Sequence, residues 1–279
     1  MKKYLLPNLR VFIIFFLLFS CASLFGQKKI VVESKNLKTN DTVLVFTPKT
    51  YNADSKETIP ALFLLHGWSG CWRDWSNKTD IQSFSDKYGF IIITPDGFYN
   101  SWYLNNIDTT KMQWRTFFDK ELYPMMVKNY NLDPQKTFIT GLSMGGHGAI
   151  NVFLDDITRF RAAGSMSGVL NLMETRLKNS EIVKILGPYS DDAPNYLNNS
   201  AINRLESIKG TDKIMLITCG AQDALSKGAV DLTKRCDELK IPNILILSPG
   251  VHSWKYWIYA LDLHLFYFSR IVNNQGLGY

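Results

Sequence analysis

The stretch Gly141-Leu142-Ser143-Met144-Gly145 has the pattern G-x-S-x-G. A short apolar segment, residues 137–140, precedes it, and a helix-compatible run without Pro, residues 148–154, follows it. A strand, a sharp turn and a helix in this order are typical of a nucleophile elbow, which holds a Ser hydroxyl out at the top of a sheet. The flanking glycines are needed because the turn brings backbone segments close together and strains the Ser. We therefore predict that Ser143 is a nucleophile.

A Ser hydroxyl becomes a strong nucleophile only when a base takes its proton, and the base must itself be oriented by an acid. His252 follows the last predicted strand in a loop that begins with Gly250, where such a base would lie. His264 falls inside a predicted helix, which favours a packed or surface position. His66 and His147 lie before or beside the nucleophile in the chain. His252 is therefore the predicted base.

The acid is expected between the nucleophile and the base in the chain, at the end of a strand. Asp223 directly follows the strand predicted at 213–218, whereas Asp212 precedes that strand and would lie at the opposite edge of the sheet. Two other candidates, Asp191 and Asp192, fall in a stretch of irregular composition. Asp223 is the predicted acid, with capping of the following helix as the alternative role.

An oxyanion formed during attack by Ser143 needs hydrogen-bond donors, and backbone N–H groups commonly supply them. The N–H of Met144, directly after the nucleophile, is one predicted donor. The other is the N–H of Trp68, in the Gly-containing loop that follows the third predicted strand. The helix after Ser143 would also direct the positive end of its dipole at the oxyanion. His66, in the same loop as Trp68, is expected to be structural.

The elements that must position these residues follow an alternating pattern. Continuous apolar runs suit strands that are buried on both faces, and strand, helix and strand in succession predict right-handed crossovers in a parallel sheet. Residues 98–112 are predicted to form an irregular loop, and residues 169–207 to cover the sheet edge and shape a pocket. Strands are predicted at 30–32, 42–46, 60–65, 90–94, 137–140, 162–168, 213–218 and 243–247, the first two antiparallel, and helices at 79–88, 114–130, 226–239 and 254–271.

Residues 1–26 have the plan of a secretory signal peptide. Lys2, Lys3 and Arg10 precede an apolar run at 11–19, which is short for a membrane span, and small residues follow it. The segment around Cys21 also resembles a lipoprotein signal that would end before Cys21 and leave that residue lipidated. We therefore expect export to the periplasm or the medium, with possible lipid attachment to a membrane, and one catalytic domain over residues 27–279.

Composition excludes several classes of function. The 279 residues are 46% hydrophobic, which allows one large α/β domain with a sizeable core. The net charge of +6 falls to +3 without the three basic residues of the signal segment, so no nucleic-acid partner is expected. The spacing of Cys and His residues suggests no metal site and no cofactor. Cys219 and Cys236 could pair if their segments meet.

A family resemblance covers roughly residues 40–270. The string Gly141-Leu142-Ser143-Met144-Gly145-Gly146-His147-Gly148-Ala149 is its most specific part. It resembles the esterase D and antigen 85-like family of α/β-hydrolases, which includes S-formylglutathione hydrolases, feruloyl and acetylxylan esterases, and mycolyltransferases. The resemblance implies an α/β-hydrolase fold with a mostly parallel sheet and little or no lid, and the triad Ser143, Asp223 and His252. Other matching motifs are His66-Gly67, Pro95-Asp96-Gly97, Ser101-Trp102-Tyr103 and His252-Ser253-Trp254.

The expected activity is that of an exported serine carboxylesterase. Its substrate would be a small acyl ester or an acetyl or feruloyl ester on carbohydrate. Four aromatic residues in the predicted loops could stack on a sugar or an aromatic acyl group, with simple packing as the alternative: Trp68, Trp72, Trp102 and Tyr103. Of these, Trp102 and Tyr103 are the predicted substrate-binding residues. Acyl transfer to a hydroxyl acceptor and a binding protein without catalysis are the alternative functions. A peptidase is a further alternative, although the sequence contains no propeller or large cap domain to select peptides.

Overall fold

The computed structural model describes residues 26–174, 177–178 and 180–277. The predicted signal segment lies outside these residues except for Gly26, and so does the predicted lipidation site Cys21. The eight strands form one sheet in the order β1-β2-β4-β3-β5-β6-β7-β8. The strands are β1 (Gln27–Ser34), β2 (Thr39–Phe46), β3 (Ala61–Leu65), β4 (Ile91–Pro95), β5 (Thr137–Gly141), β6 (Ala162–Met166), β7 (Ile214–Gly220) and β8 (Asn243–Ser248).

The sheet is mostly parallel, as predicted. Strand β2 pairs antiparallel with both β1 and β4, and β3 to β8 all pair in parallel. The chain therefore brings the carboxyl ends of β3 to β8 to one edge. The loops after β3, β5, β7 and β8 leave the sheet at this edge, and these loops carry the residues predicted to do chemistry.

Helices cover both faces of the sheet. Successive residues of a strand point to opposite faces, so Leu62 and Leu64 belong to one apolar cluster and Phe63 to the other. Helix α9 packs on the first face, and α5 and α8 pack on the second. The helices are α1 (Asp74–Lys78), α2 (Ile81–Tyr88), α3 (Trp114–Phe117), α4 (Tyr123–Tyr130), α5 (Met144–Asp155), α6 (Val183–Leu186), α7 (Pro194–Leu197), α8 (Ser226–Glu238) and α9 (Trp254–Val272).

The helix predicted over 114–130 is interrupted. A π-helical turn, Phe118–Leu122, separates α3 from α4. Pro124 lies in the first turn of α4. Because Pro has no N–H and its ring crowds the carbonyl of the preceding turn, a regular α-helix cannot run through this point, and a wider turn accommodates it. The short helix α1 was not predicted from the sequence.

Other expectations about the chain can be compared with the structure directly. Cys219 and Cys236 are both buried free thiols, so the possible disulfide between them is not formed. Among the residues that the structure describes, no helix is both long and apolar enough to cross a bilayer.

His264 lies in the core, the packed one of its two predicted positions, and connects α9 to the sheet. Its Nδ1 lies 2.8 Å from Thr140 Oγ1 on β5, and its Nε2 lies 3.1 Å from Thr218 Oγ1 on β7. Gly164 on β6 leaves room for the ring, since a Cβ there would come within 2.4 Å of Nδ1. Complete burial lowers the pKa of His264 from 6.5 to about 3. The folded protein therefore holds this imidazole neutral.

His264→Gln should make the stability of the protein less sensitive to acid. Between pH 6.5 and about 3 the unfolded chain protonates His264 but the folded chain does not, so wild-type stability falls as the pH falls through this range. This one group contributes up to about 1.4 kcal/mol per pH unit. Urea unfolding at pH 7, 6, 5 and 4 should give a shallower slope for the variant. Parallel curves would contradict the assignment, because carboxylates contribute equally in both proteins.

Candidate active site

Ser143 occupies a strained backbone position between β5 and α5. Its φ is 50° and its ψ is −114°, a conformation that L-residues rarely adopt. The N–H of Ser143 donates to the Met166 carbonyl (2.9 Å), and the Ser143 carbonyl accepts from the N–H of His147 (3.1 Å). A Cβ on Gly145 would lie 2.4 Å from the His66 carbonyl oxygen, so this turn closes only with glycine there. The structure thus confirms the predicted elbow.

The structure brings Ser143, His252 and Asp223 together from the ends of three strands. His252 Nδ1 lies 2.8 Å from Asp223 Oδ2, and His252 Nε2 lies 2.9 Å from Ser143 Oγ. Because an ionised carboxylate can only accept, Nδ1 carries the proton and donates to Asp223. Nε2 is then free to accept the hydroxyl proton of Ser143. This arrangement can perform nucleophilic catalysis with general-base assistance.

Asp223 is 3% exposed and makes several further hydrogen bonds. Burial raises its pKa, but the hydrogen bonds from His252 and the Leu225 N–H, together with the nearby Ser167 hydroxyl, outweigh this effect and leave the pKa below its ordinary value. The Leu225 N–H donates to Oδ1 at 2.9 Å, just before α8 begins. One carboxylate oxygen of Asp223 therefore accepts a hydrogen bond from the backbone at the start of α8, and the other accepts a hydrogen bond from His252.

Ser167 and Cys219 extend this hydrogen-bonded chain, and neither residue was predicted to belong to the site. The Cys219 thiol donates to Ser167 Oγ at 3.7 Å. Burial raises the pKa of Cys219 to about 11, so it remains a thiol. Ser167 directly follows β6 with a positive φ of 50°, and its N–H donates to the Thr218 carbonyl at 2.8 Å. The one available signal was the strand end Ser165-Met166-Ser167-Gly168 at the same sheet edge.

The two predicted oxyanion donors belong to backbone segments next to the nucleophile. Met144 is the first residue of α5, and Trp68 follows Gly67, at which a Cβ would lie 3.6 Å from Ser143 Cβ. Within the described part of the chain, neither N–H donates to a protein acceptor. Both N–H groups can therefore bind an oxyanion on Ser143.

His66 and His147 lie near the site but do not contact Ser143 through their rings. The Gly97 N–H donates to His66 Nε2 at 2.7 Å, so His66 Nδ1 donates to the Gly67 carbonyl at 2.8 Å. This confirms the structural role predicted for His66. His147 Nδ1 lies 3.1 Å from the Val169 carbonyl oxygen. Burial together with the charge of Arg115 lowers the pKa of His147 to about 3.

The prediction that Tyr103 binds substrate is wrong. Its side chain is 0% exposed, because the ring fills the space beside Gly97 and Gly148, and its hydroxyl donates to the His66 carbonyl at 2.8 Å. Trp102 is 7% exposed and packs edge-on against His147, so its role toward substrate stays a prediction. In the described residues, no group of three or more His, Cys, Asp or Glu side chains could hold a metal ion.

Known proteins match this chain over most of its length and most of their own. It is 26% identical over 253 residues to an acetyl esterase of Caldicellulosiruptor saccharolyticus, a match that covers 80% of this chain and 91% of the relative. It is 25% identical to an S-formylglutathione hydrolase of Rattus norvegicus, covering 88% and 94%. The structure of FphF, a fluorophosphonate-binding serine hydrolase of Staphylococcus aureus, aligns with a TM-score of 0.77 at 23% identity, covering 88% and 98%.

The family match covers the strands and loops that carry the three hydrogen-bonded residues of the site. The Esterase family, whose description is "Putative esterase", matches residues 34–268. This range begins at the end of β1 and ends within α9, so it includes all three residues that the structure joins by hydrogen bonds. The chain therefore belongs to the Esterase family and is a serine ester hydrolase with the α/β-hydrolase fold.

Proposed function

We propose that this protein hydrolyses carboxylic esters through an acyl-enzyme on Ser143, with His252 as general base and acid and Asp223 as the orienting carboxylate. The observation that carries the proposal is the continuous hydrogen-bonded chain, 2.8 Å from Asp223 to His252 and 2.9 Å from His252 to Ser143. Each of these residues follows a different parallel strand, so the sheet itself sets their separation.

The reaction proceeds in two halves. Ser143 Oγ attacks the ester carbonyl carbon while His252 Nε2 takes the hydroxyl proton, and the tetrahedral oxyanion accepts hydrogen bonds from the N–H groups of Met144 and Trp68. The oxyanion collapses, the C–O bond to the alcohol breaks, and His252 returns the proton to the leaving oxygen. Water then attacks the acyl-enzyme by the same steps and releases the acid and free Ser143.

Asp223 stabilises the imidazolium that forms twice in each cycle. Its carboxylate is ionised and buried, so it interacts with the positive ring in a poorly screened environment. His252 remains accessible, with 38% of its side chain exposed. Water can therefore reach the base for the second half of the reaction.

For the substrate, we propose a short acyl ester, most simply an acetyl ester, on a carbohydrate. Support comes from the similarity over 80% of the chain to an acetyl esterase. We further propose that the enzyme is exported, on the basis of the basic residues and apolar run at 1–26, with Cys21 as a site of lipid attachment.

Ser143→Ala should abolish turnover of p-nitrophenyl acetate and covalent labelling by a fluorophosphonate probe. The Ser143 hydroxyl lies 2.9 Å from its base and forms the covalent bond in the proposed mechanism, and the substitution removes only this oxygen. Intact mass spectrometry would locate the adduct, and thermal unfolding would confirm the fold. Labelling that is retained in the Ser143 variant would refute the proposed mechanism. A wild-type protein that is not labelled would also refute it and would favour a binding protein.

Asp223→Asn should lower kcat by orders of magnitude, roughly 10⁴-fold in comparable triads. An amide can donate to Nδ1 and so favours the tautomer whose Nε2 carries the proton and cannot accept from Ser143. Asp212→Asn is the matched control, because Asp212 lies at the opposite end of β7 and is 76% exposed. Equal kcat values for the two variants would mean that another carboxylate serves His252.

Ser167→Ala should lower kcat about 10-fold and leave KM nearly unchanged, because the Ser167 hydroxyl helps to hold the pKa of the Asp223 carboxylate low. Ser165→Ala is the matched control: Ser165 is also buried at the end of β6, but its hydroxyl has no partner among the described residues. The pH profile of kcat should shift only in the Ser167 variant. If both variants behave alike, Ser167 only packs.

A further inference from the structure

Two aromatic side chains stand exposed on the open side of the site. Trp68 is 50% exposed and Tyr99 is 57% exposed, whereas Trp102 and Tyr103 are buried. The two exposed rings meet edge to face, with centroids 5.1 Å apart and an interplanar angle of 67°. Solvated apolar surface next to a reactive group needs an explanation, because such rings are more often buried.

The backbone holds this pair in place without a ligand. The Ser69 N–H donates to the Tyr99 carbonyl at 2.7 Å and joins the loops that carry the two rings. The Phe98 N–H donates to Asp96 Oδ1 at 2.7 Å, and Phe98 has a positive φ of 53°. Trp68 also carries a predicted oxyanion donor, and it directly follows Gly67, at which a Cβ would lie 3.6 Å from Ser143 Cβ. The two rings therefore form a preorganised surface on loops of which one passes close to Ser143.

A half-exposed aromatic pair suits one half of an ester better than the other. An acyl chain gains most when it is fully removed from water, which these rings cannot achieve. A sugar ring presents C–H groups on its faces and hydroxyls around its rim, and those hydroxyls lose free energy if they are buried without partners. Stacking on Trp68 and Tyr99 would cover the C–H face and leave the rim hydrated.

A cavity adjoins the loop that carries Tyr99. Phe98 and Asn100, the residues on either side of Tyr99, line a cavity of about 290 Å³ between the loop after β4 and α6. Its walls carry apolar side chains together with the polar heads of Asn100, Lys111, Glu181 and Lys184. Amide, ammonium and carboxylate groups can donate to and accept from sugar hydroxyls. The cavity has room for a further sugar unit beyond the aromatic pair.

We propose that Trp68, Tyr99 and this cavity bind the saccharide that forms the leaving alcohol, so that the preferred substrate is an acetylated oligosaccharide rather than an isolated acetyl ester. The proposal rests on the proposed esterase function and specifies which half of the ester is recognised, and by which residues.

Tyr99→Ala separates recognition of the alcohol from chemistry. The assay compares kcat/KM for ethyl acetate, an acetylated monosaccharide and an acetylated trisaccharide, which all form the same acetyl-enzyme. We expect wild-type kcat/KM to rise along this series. The variant should lose about 10-fold on the trisaccharide ester and keep its rate on ethyl acetate, and Tyr99→Phe should retain most of the wild-type preference.

Phe266→Ala is the matched control, since Phe266 is 45% exposed and lies 12 residues into α9, about 18 Å along the helix from its start near His252. It should leave all three rates unchanged. A second arm measures binding of the unacetylated trisaccharide to wild type and Tyr99→Ala by tryptophan fluorescence.

The outcomes distinguish a failure of the proposed esterase function from a failure of the proposed saccharide site. A wild-type protein that hydrolyses no ester would overturn the proposed function. The measurement of trisaccharide binding would then be the remaining test of the saccharide site. Hydrolysis of ethyl acetate with no preference for the trisaccharide, or an equal loss on all three esters in Tyr99→Ala, would overturn the saccharide site while leaving the esterase intact.

Discussion

The close approach of two backbone segments is the constraint on which the site depends. The turn after Ser143 packs so tightly on the end of β3 that a Cβ at Gly145 would meet carbonyl oxygens of Leu65 and His66 at 2.6 and 2.4 Å. This contact fixes the elbow relative to the loop that carries Trp68. The nucleophile and an oxyanion donor, which come from different strands, therefore share one rigid frame, and rigid placement of such groups is the main requirement for stabilising a tetrahedral intermediate.

Backbone strain is concentrated at the same edge of the sheet. Six of the ten described non-glycine residues with positive φ lie in loops that follow β3, β4, β5 or β6, and the other four lie in ordinary turns or near helix ends. Each such residue costs free energy of order 1–3 kcal/mol, which the packing around it must offset. The buried aromatic core below the loop after β4, with Tyr103 against Trp114 at 4.7 Å, supplies that packing. The six residues are Ser69, Phe98, Trp102, Tyr103, Ser143 and Ser167.

Elements with strong local patterns could be predicted from the sequence, and so could the residues at their ends. The apolar runs of β3, β4 and β5 and the positions of Ser143, Asp223 and His252 after strands required no knowledge of long-range contacts. The burial of Tyr103 could not be predicted. The local sequence of a polar loop is the same whether its aromatic ring faces solvent or fills the space beside Gly97. The interruption at Phe118–Leu122 was missed because the apolar periodicity continues through it.

Ser167 illustrates a further limit. Its hydroxyl matters only because β6 and β7 are neighbours, which brings it to Asp223 and Cys219, and no local pattern in the chain encodes that proximity. The same adjacency leaves the acid with donors from three separate segments, so its ionised form is stabilised before any imidazolium is present. The order of the strands in the sheet also fixes the relative positions of Ser143 and His252. The topology of the sheet thus sets both the geometry of the site and the charge state on which its base depends.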